Sequence, residues 1–494
     1  MATLSSSSLL KLPDELLLEI LNYIDHFAYP WRTNSLYGLT LAGRRLHALA
    51  KPYLYSNFSF YAGVPYLFLR TISLNPDLAS QVKVICWDYD TSAAELFVYK
   101  PGVLAVKQGF QLDDACDKLE DRAAHGNLVA RHLVDGLKLG RLYLGDLRAL
   151  EVLLMFTPNV EHLEVAETYR WDDHHYWFTP ILCIPNDFSQ LVSATLQGPM
   201  RSENVVGLML LPSMRRLELT QVIEMRQEQD RTLQWQDPSA DKLFSKGFFN
   251  QRSSNLEHLH LLDSYTQLHD IMQIVRTTRN LKSFVYEHIV NELSQQHLDM
   301  PYDNLTQLLE SQQDTLISIS ISAKHSRDPI PLPAPWEDKN VIFKTVQDFP
   351  NLTHLEVSYP CAQSRQWPYR APKWEELPPN LEHLTVDYLG AHEYIEDSRR
   401  TAELEQDLEE LAVRKRRGAL PNLRSVAFEN WHPYYGSFPR DVSIGNVLRN
   451  VGVQLISIPA KIGSTTHIME DIGWVELQSE PEWVIIEIYR VDEE

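Results

Sequence analysis

One short apolar pattern recurs eleven times along this chain and limits its fold more than any other feature. Each copy has an apolar anchor, a second apolar residue three places later and a third five places later. Side chains on a strand alternate between two faces, so the third and fifth places lie on the same face. The pattern predicts eleven short strands that each bury one face. The anchors are Val82, Val160, Leu191, Met214, Leu256, Leu281, Leu316, Leu352, Leu381, Leu423 and Val453.

Several of the segments between the copies are predicted to be helical. Successive anchors after Val160 lie 23 to 42 residues apart, and asparagine often stands directly before the anchor. Helix-like apolar periodicity occurs in five of the intervening segments. These are 146–156, 267–277, 305–312, 401–417 and 444–450. Short strands that alternate with helices at a recurring interval predict an α/β repeat array with parallel strands.

The recurring pattern resembles the L-x-x-L-x-L core of leucine-rich repeats. Repeats of that family run about 20–29 residues, so several units here carry insertions. The resemblance implies an irregular solenoid over residues 57–480. A closing strand and an acidic tail are expected over 481–494, and a short tail over 1–10. Near the end, 474–477 and 483–488 read as strands that cover the open edge of the array.

The first 56 residues carry a helical pattern instead. Pro13 suits the first turn of a helix, and Asp14 and Glu15 suit its positive N-terminus. A second amphipathic helix is predicted in the segment 39–55, beginning at Leu39 and stopping at Pro52. The apolar stripe of the first helix consists of Leu16, Leu17, Ile20, Leu21 and Ile24.

These residues resemble an F-box, in the form common in fungal proteins, over residues 11–56. The resemblance implies docking on the Skp-type adaptor of an SCF ubiquitin ligase and, through it, on a cullin. The connection from His26 to Ser35 is longer than the family's usual short turn, so the middle helix of its three-helix unit is not predicted. The matching segments are 12–17, 20–21, 44–47 and 52–55. The residues implied to contact the adaptor are Leu12, Pro13, Leu16, Leu17, Ile20, Leu21, Leu46 and Leu49.

Composition narrows the choice of partners. The chain has 66 acidic and 45 basic residues, a net charge of −21, which disfavours nucleic acid and favours a basic protein partner. Four scattered cysteines without C-x-x-C spacing predict neither disulfides nor zinc. No window approaches 18 apolar residues, so no membrane partner is expected and the predicted location is cytoplasmic or nuclear.

Searches for catalytic patterns favour a protein without an active site. No phosphate-binding glycine loop, H-E-x-x-H, G-x-S-x-G or kinase signature occurs. The loop 171–177 holds two carboxylates and two imidazoles, but adjacent residues seldom converge on one ion, so a solvated loop is favoured over a metal site. Neither a cofactor nor a metal is predicted.

Candidate target-binding residues are of two kinds: polar residues on the outer face of the predicted sheet and tryptophans in the insertions. The polar ones stand at the second, fourth and sixth places past each anchor. Histidine takes the second place four times, which fits either a tolerated polar ladder or a His- and Glu-rich surface for a basic segment. Aromatic insertions after several strands fit either loop packing or interface anchors. The candidates are His162, Glu164, Glu218, His258, His260, His354, Glu356, His383, Trp171, Trp177, Trp367 and Trp431.

The resemblances imply a substrate receptor of an SCF-type ubiquitin ligase, with the target held by the repeat array. The alternative is a non-catalytic repeat scaffold with no role in ubiquitination, whose N-terminal helices cap the array or bind the adaptor for purposes other than degradation. The basic run from Arg414 to Arg417 has two interpretations as well. It is either the end of a helix, where cations are favourable, or a nuclear signal, and the acidic start of the same segment favours the helix end.

Overall fold

A computed structural model describes the N-terminal helices and most of the strands of the array. The described residues are 9–27, 31–59, 65–88, 150, 153–166, 188–223, 254–264, 268–290, 309–325, 346–358, 377–387, 398–431, 442–459, 465–470 and 473–478. By contact density the chain divides into two units. The first comprises residues 1–220 and 253–256, and the second comprises residues 221–252 and 257–494.

The first unit opens with three helices and not two. They are α1 (Asp14–Asp25), α2 (Trp31–Ala42) and α3 (Arg44–Ser56), preceded by a 3-10 turn at Leu9–Lys11. They share one small core, formed by Leu21, Leu36 and Ala50 with five half-buried apolar neighbours. A core built from all three helices is the reason that the middle helix forms.

Two expectations about this region are wrong. The helix predicted to begin at Leu39 and stop at Pro52 is interrupted at Gly43, where an extended backbone separates α2 from α3. Pro52 does not end α3, which continues to Ser56. The proline lacks one helical hydrogen bond, but Tyr53 and Leu54 directly after it pack against the three-helix core and hold the last turn in place.

The rest of the first unit is a sheet whose strands follow in chain order. The strands are β1 (Asn57–Ser59), β2 (Val84–Asp88), β3 (His162–Ala166), β4 (Ser193–Arg201) and β5 (Arg216–Ile223), the last three residues of β5 belonging to the second unit. The pairs β1–β2, β2–β3 and β3–β4 are parallel. Helices α4 (Pro65–Leu74), α5 (Pro76–Ala79) and α6 (Ser202–Met209) lie between strands in the chain.

The second unit continues the same alternation. Its strands are β6 (His258–Ser264), β7 (Ser283–Val290), β8 (Ser318–His325), β9 (His354–Ser358), β10 (His383–Asp387), β11 (Ser425–Trp431), β12 (Gln454–Pro459), β13 (Thr465–Glu470) and β14 (Gly473–Gln478). Strands β6 to β12 are parallel and pair only with their chain neighbours, whereas β13 and β14 are antiparallel. Its helices are α7 (Leu268–Thr277), α8 (Ser398–Arg416) and α9 (Val442–Arg449). The predicted α/β class with parallel strands is therefore confirmed.

The apolar pattern marks the buried face of the strands. In ten of the eleven copies all three apolar side chains are at most 3% exposed. The copy at Val453 is one residue out of register, because Leu455 and not Ile456 stands beside the inward Val426. The Val453 N–H donates to the Leu448 carbonyl in the turn that ends α9. Strand β12 starts at Gln454, one residue past its anchor, whereas β11 starts two residues past Leu423.

The asparagine before the anchor has a structural role in this array. Asn159, Asn351 and Asn380 each donate a side-chain N–H to a backbone carbonyl of the preceding repeat, at 2.6 to 2.8 Å. The residue after the anchor adds a second link, since its carbonyl accepts two N–H groups of the next repeat, as Glu382 accepts from Arg424 and Ser425. Both sets of hydrogen bonds pair backbone groups at the points where strands begin. They also fix the stacking of neighbouring repeats.

Candidate functional site

The apolar stripe of α1 is divided between core and surface. Leu17 and Leu21 are each 2% exposed and pack inward. An adjacent row at helical spacing stays at the surface, with Leu16 44% exposed and Tyr23 70% exposed. We call this row the α1 outer stripe, and its members are Pro13, Leu16, Ile20, Tyr23 and Phe27.

The residues implied to contact the adaptor differ in their exposure. Leu17, Leu21 and Leu46 are buried among this chain's own helices, so they offer no surface to a partner. Leu12, Ile20 and Leu49 are half-buried, whereas Pro13 and Leu16 are exposed. Sequence analysis missed Tyr23 and Phe27, whose rings pack edge to face at 5.3 Å. Extending the spacing Pro13–Leu16–Ile20 by two more turns would have found them.

Exposed apolar side chains concentrate on the first two helices. Helix α2 adds Trp31 at 70%, Tyr37 at 56% and Leu41 at 69% exposure. Among the described residues, seven of the twelve exposed large apolar side chains lie between Leu16 and Leu41. Clustered exposed apolar groups are typical of protein-interaction surfaces, whereas single ones are ordinary.

A buried arginine holds this three-helix unit together. Arg32, in α2, is 2% exposed and donates from Nε and Nη2 to Asp25 Oδ1 at 2.8 and 2.6 Å. Its Nη2 also donates to the Tyr53 carbonyl at 2.7 Å and to Ser56 Oγ at 3.1 Å. One guanidinium thus joins the end of α1 and the start of α2 to the end of α3.

A second arginine fixes the start of α1. Arg45, at the start of α3, donates to Asp14 Oδ1 at 2.8 and 2.6 Å and to the Leu12 carbonyl at 2.7 Å. Two guanidinium donors that converge on one carboxylate oxygen fix the geometry of the pair, even where exposure keeps its energy small. The Leu12–Pro13 segment is therefore held in a defined position on the surface beside α3.

The candidates of the first unit lie on the outer face of β3 and β5. His162 Nδ1 is hydrogen-bonded to Ser193 Oγ of β4 at 2.7 Å. Glu164 stands beside Cys86 of β2, and burial, followed by Glu164, raises the pKa of the Cys86 thiol to about 12. That cysteine is protonated at neutral pH and is not a nucleophile. Glu218 is ion-paired with Arg216 at 3.2 Å.

In the second unit the strand register brings two of the candidate histidines together. His354 of β9 stands beside His383 of β10, and their rings stack with centroids 4.6 Å apart. Thr353 Oγ1 is hydrogen-bonded to His354 Nδ1 at 2.8 Å, and Ser425 Oγ to His383 Nδ1 at 2.7 Å. The remaining second-place histidine of the second unit, His258, lies three strands from His354. Ser283 of β7 and Ser318 of β8 stand between them in register. Glu356 and His260 occupy the fourth place past their anchors, Leu352 and Leu256.

The environment of the pair favours neutral imidazoles. Burial lowers the pKa of His354, against the opposing effect of Glu382. Burial, the adjoining His354 and Arg424 lower the pKa of His383, again opposed by Glu382. Two imidazolium rings at this separation would repel each other, so protonation of one disfavours protonation of the other.

These lowered pKa values predict a loss of stability in mild acid. The unfolded chain binds protons first, so the contribution of the pair is complete above a pH of about 6.5 and is lost as the pH falls through the lower folded pKa values. We expect the melting temperature of the wild type to fall by about 1 to 3 °C more than that of His354→Gln/His383→Gln between neutral pH and mild acid, a small effect because both rings are partly solvated. His162→Gln, which has Val84 and Ser193 and no second imidazole beside it in register, should behave like the wild type in calorimetry. Equal acid sensitivity in the double variant would contradict this explanation.

Several predicted features fall outside the described residues. Trp171, Trp177, Trp367 and the whole 171–177 loop lie there, as does the side chain of Trp431 at the end of β11. Within the described ranges, no group of three or more His, Cys, Asp or Glu side chains could hold a metal ion. None of the helices in those ranges has the length and apolar character needed to cross a membrane.

The sequence was compared with protein-family models and with curated proteins. A scan against protein-family models finds no match, and a search of curated proteins finds no similar sequence.

Proposed function

We propose that this chain is the target-binding subunit of an SCF-type ubiquitin ligase. Its three-helix unit binds the Skp-type adaptor, and its repeat array binds the target. The single observation that carries the proposal is the α1 outer stripe, an apolar row left at the surface beside the segment that resembles the F-box opening. The ubiquitin-transfer chemistry then belongs to other subunits, and this chain acts by holding the target close to them.

Two features of the helices support an interface at this place. Helix α2, the next helix along the chain, also carries exposed apolar groups at Trp31, Tyr37 and Leu41. The Arg45 contacts order the Leu12–Pro13 segment before any partner binds, which reduces the entropy cost of association. Large aromatic side chains such as Tyr23 and Trp31 are the kind that dominate binding energy at interfaces.

The test is a binding measurement between the full chain and a purified Skp-type adaptor. We expect the wild type to bind and Leu16→Glu/Tyr23→Glu to bind at least about tenfold more weakly, since two charges would enter an apolar contact. The matched control is Leu67→Glu/Leu74→Glu, which changes two leucines of α4 that are 39% and 51% exposed. Both double variants should melt like the wild type, because exposed substitutions rarely change stability by more than about 0.5 kcal/mol.

Two outcomes would defeat the proposal. One is that the wild type does not bind the adaptor. The other is that the α1 variant binds as well as the α4 control. The scaffold without a role in ubiquitination would then be the better interpretation of the array.

A further inference from the structure

The strongest concentration of positive charge along this acidic chain extends from the last turn of α8 to the residue before β11. The eleven residues from Arg414 to Arg424 include five cations and no carboxylate, in a chain of net charge −21. Arg416 and Arg417 are exposed, and the Arg424 side chain is 71% exposed. We call these five cations the basic turn; its members are Arg414, Lys415, Arg416, Arg417 and Arg424.

The basic turn is folded, which argues against a linear nuclear signal. Helix α8 ends at Arg416, and Gly418 adopts a φ of +81°, the left-handed conformation that commonly ends helices. The Gly418 and Ala419 N–H groups donate to the Lys415 and Arg414 carbonyls at 2.9 and 3.1 Å. Lys415 Nζ donates to the Pro421 carbonyl at 2.7 Å and closes the turn.

Nearby carboxylates offset only part of this charge. Glu410 pairs with Arg414 at 3.0 Å, and Glu382 pairs with Arg424 at 3.1 Å. A helix C-terminus favours cations, which explains those at the end of α8. It does not explain Arg424, which directly precedes β11 and lies outside the helix.

The sheet extends the basic turn with hydrogen-bonding groups. Arg424 directly precedes Ser425, which is bonded to His383, and His383 stacks on His354. The charged groups that influence the two imidazoles are Glu382 and Arg424, with Glu356 two residues from His354 on β9. Adjacent strands lie about 4.8 Å apart, so Arg424 and His354 are separated by roughly two strand spacings, which a short extended peptide can cover.

We propose that the basic turn, together with His354 and His383, binds an acidic peptide segment of the target. This inference rests on the proposed function, because it names the chemistry of the target that the array would hold. The overall charge favours basic partners elsewhere on the chain, and this turn is the local exception. A long nucleic acid or an anionic membrane would meet the repulsive field of the whole molecule, whereas a short segment needs only the local one.

The experiment measures fluorescence anisotropy of labelled decaglutamate with the full chain and uses no adaptor. We expect binding that weakens with salt and is reduced about tenfold in Arg416→Glu/Arg417→Glu, because two attractions become repulsions. The matched control is Arg276→Glu/Arg279→Glu, which reverses two exposed arginines at the end of α7 and gives the same net charge. That control should bind within about twofold of the wild type.

The outcomes separate this inference from the proposed function. No binding by the wild type, or equal losses in both double variants, would overturn the acidic-peptide site while leaving the adaptor experiment untouched. Tighter binding of single-stranded DNA than of decaglutamate would overturn it in favour of nucleic acid. Tighter binding in mild acid, lost in His354→Gln/His383→Gln, is expected because protonated imidazoles attract carboxylates.

Discussion

Replacement of Arg32 by methionine should destabilise the N-terminal three-helix unit by about 3 kcal/mol. Removing one partner of a buried ion pair leaves the other charge and its hydrogen-bonding neighbours without a partner. The variant loses the contacts with Asp25, the Tyr53 carbonyl and the Ser56 hydroxyl at once. Asp25 is part-exposed and can be hydrated, which keeps the cost near the lower end of the range for such pairs.

Amide hydrogen exchange is the measurement suited to this change, since one part of a chain can open without the rest. We expect exchange in α1 and α3 to accelerate by about 100-fold, the equivalent of the predicted loss. The control is Arg44→Met, at an exposed position on α3 next to Arg45. It should leave the exchange rates nearly unchanged. Wild-type protection in Arg32→Met would mean that apolar packing alone holds the three helices.

Replacement of Leu355 by alanine should cost about 2 to 5 kcal/mol of unfolding free energy. Leu355 is 1% exposed in β9 and stands in register with Ile319 of β8 and Leu384 of β10. The cavity would open in the middle of the second unit, where both neighbouring strands supply apolar side chains. Neighbouring repeats should lose protection first, since repeat units contact chiefly their neighbours.

Urea unfolding together with hydrogen exchange over β8 to β10 would measure this loss. The control is Ile317→Ala, which truncates an apolar residue that is 42% exposed just before β8. It should cost less than about 1 kcal/mol. If the two variants are equally stable, the apolar pattern does not mark the core of the array.

Local periodicity explains what the sequence alone could predict. The anchor pattern identified thirty buried side chains, three in each of ten copies, because the spacing of apolar residues along a chain is a local property. The helix that ends in the basic run was predicted from its charge gradient and its glycine, and α8 ends there. The asparagines before the anchors form a pattern in the sequence, but their role is seen only in the structure. Asn380, for example, donates to the Pro350 carbonyl of the preceding repeat at 2.6 Å.

Contacts between distant segments decided the rest. The sequence marks α1 as widely apolar, but only packing against α2 and α3 determines that Leu17 and Leu21 lie inside while Leu16 and Tyr23 stay outside. The middle helix was not predicted, because its stability depends on Leu36 in a core shared by three segments and on the buried Arg32. His354 and His383 are 29 residues apart in the chain, and only the register of β9 and β10 stacks their rings. Periodicity fixes which face of an element is apolar, whereas burial and adjacency are set by long-range packing that no local pattern encodes.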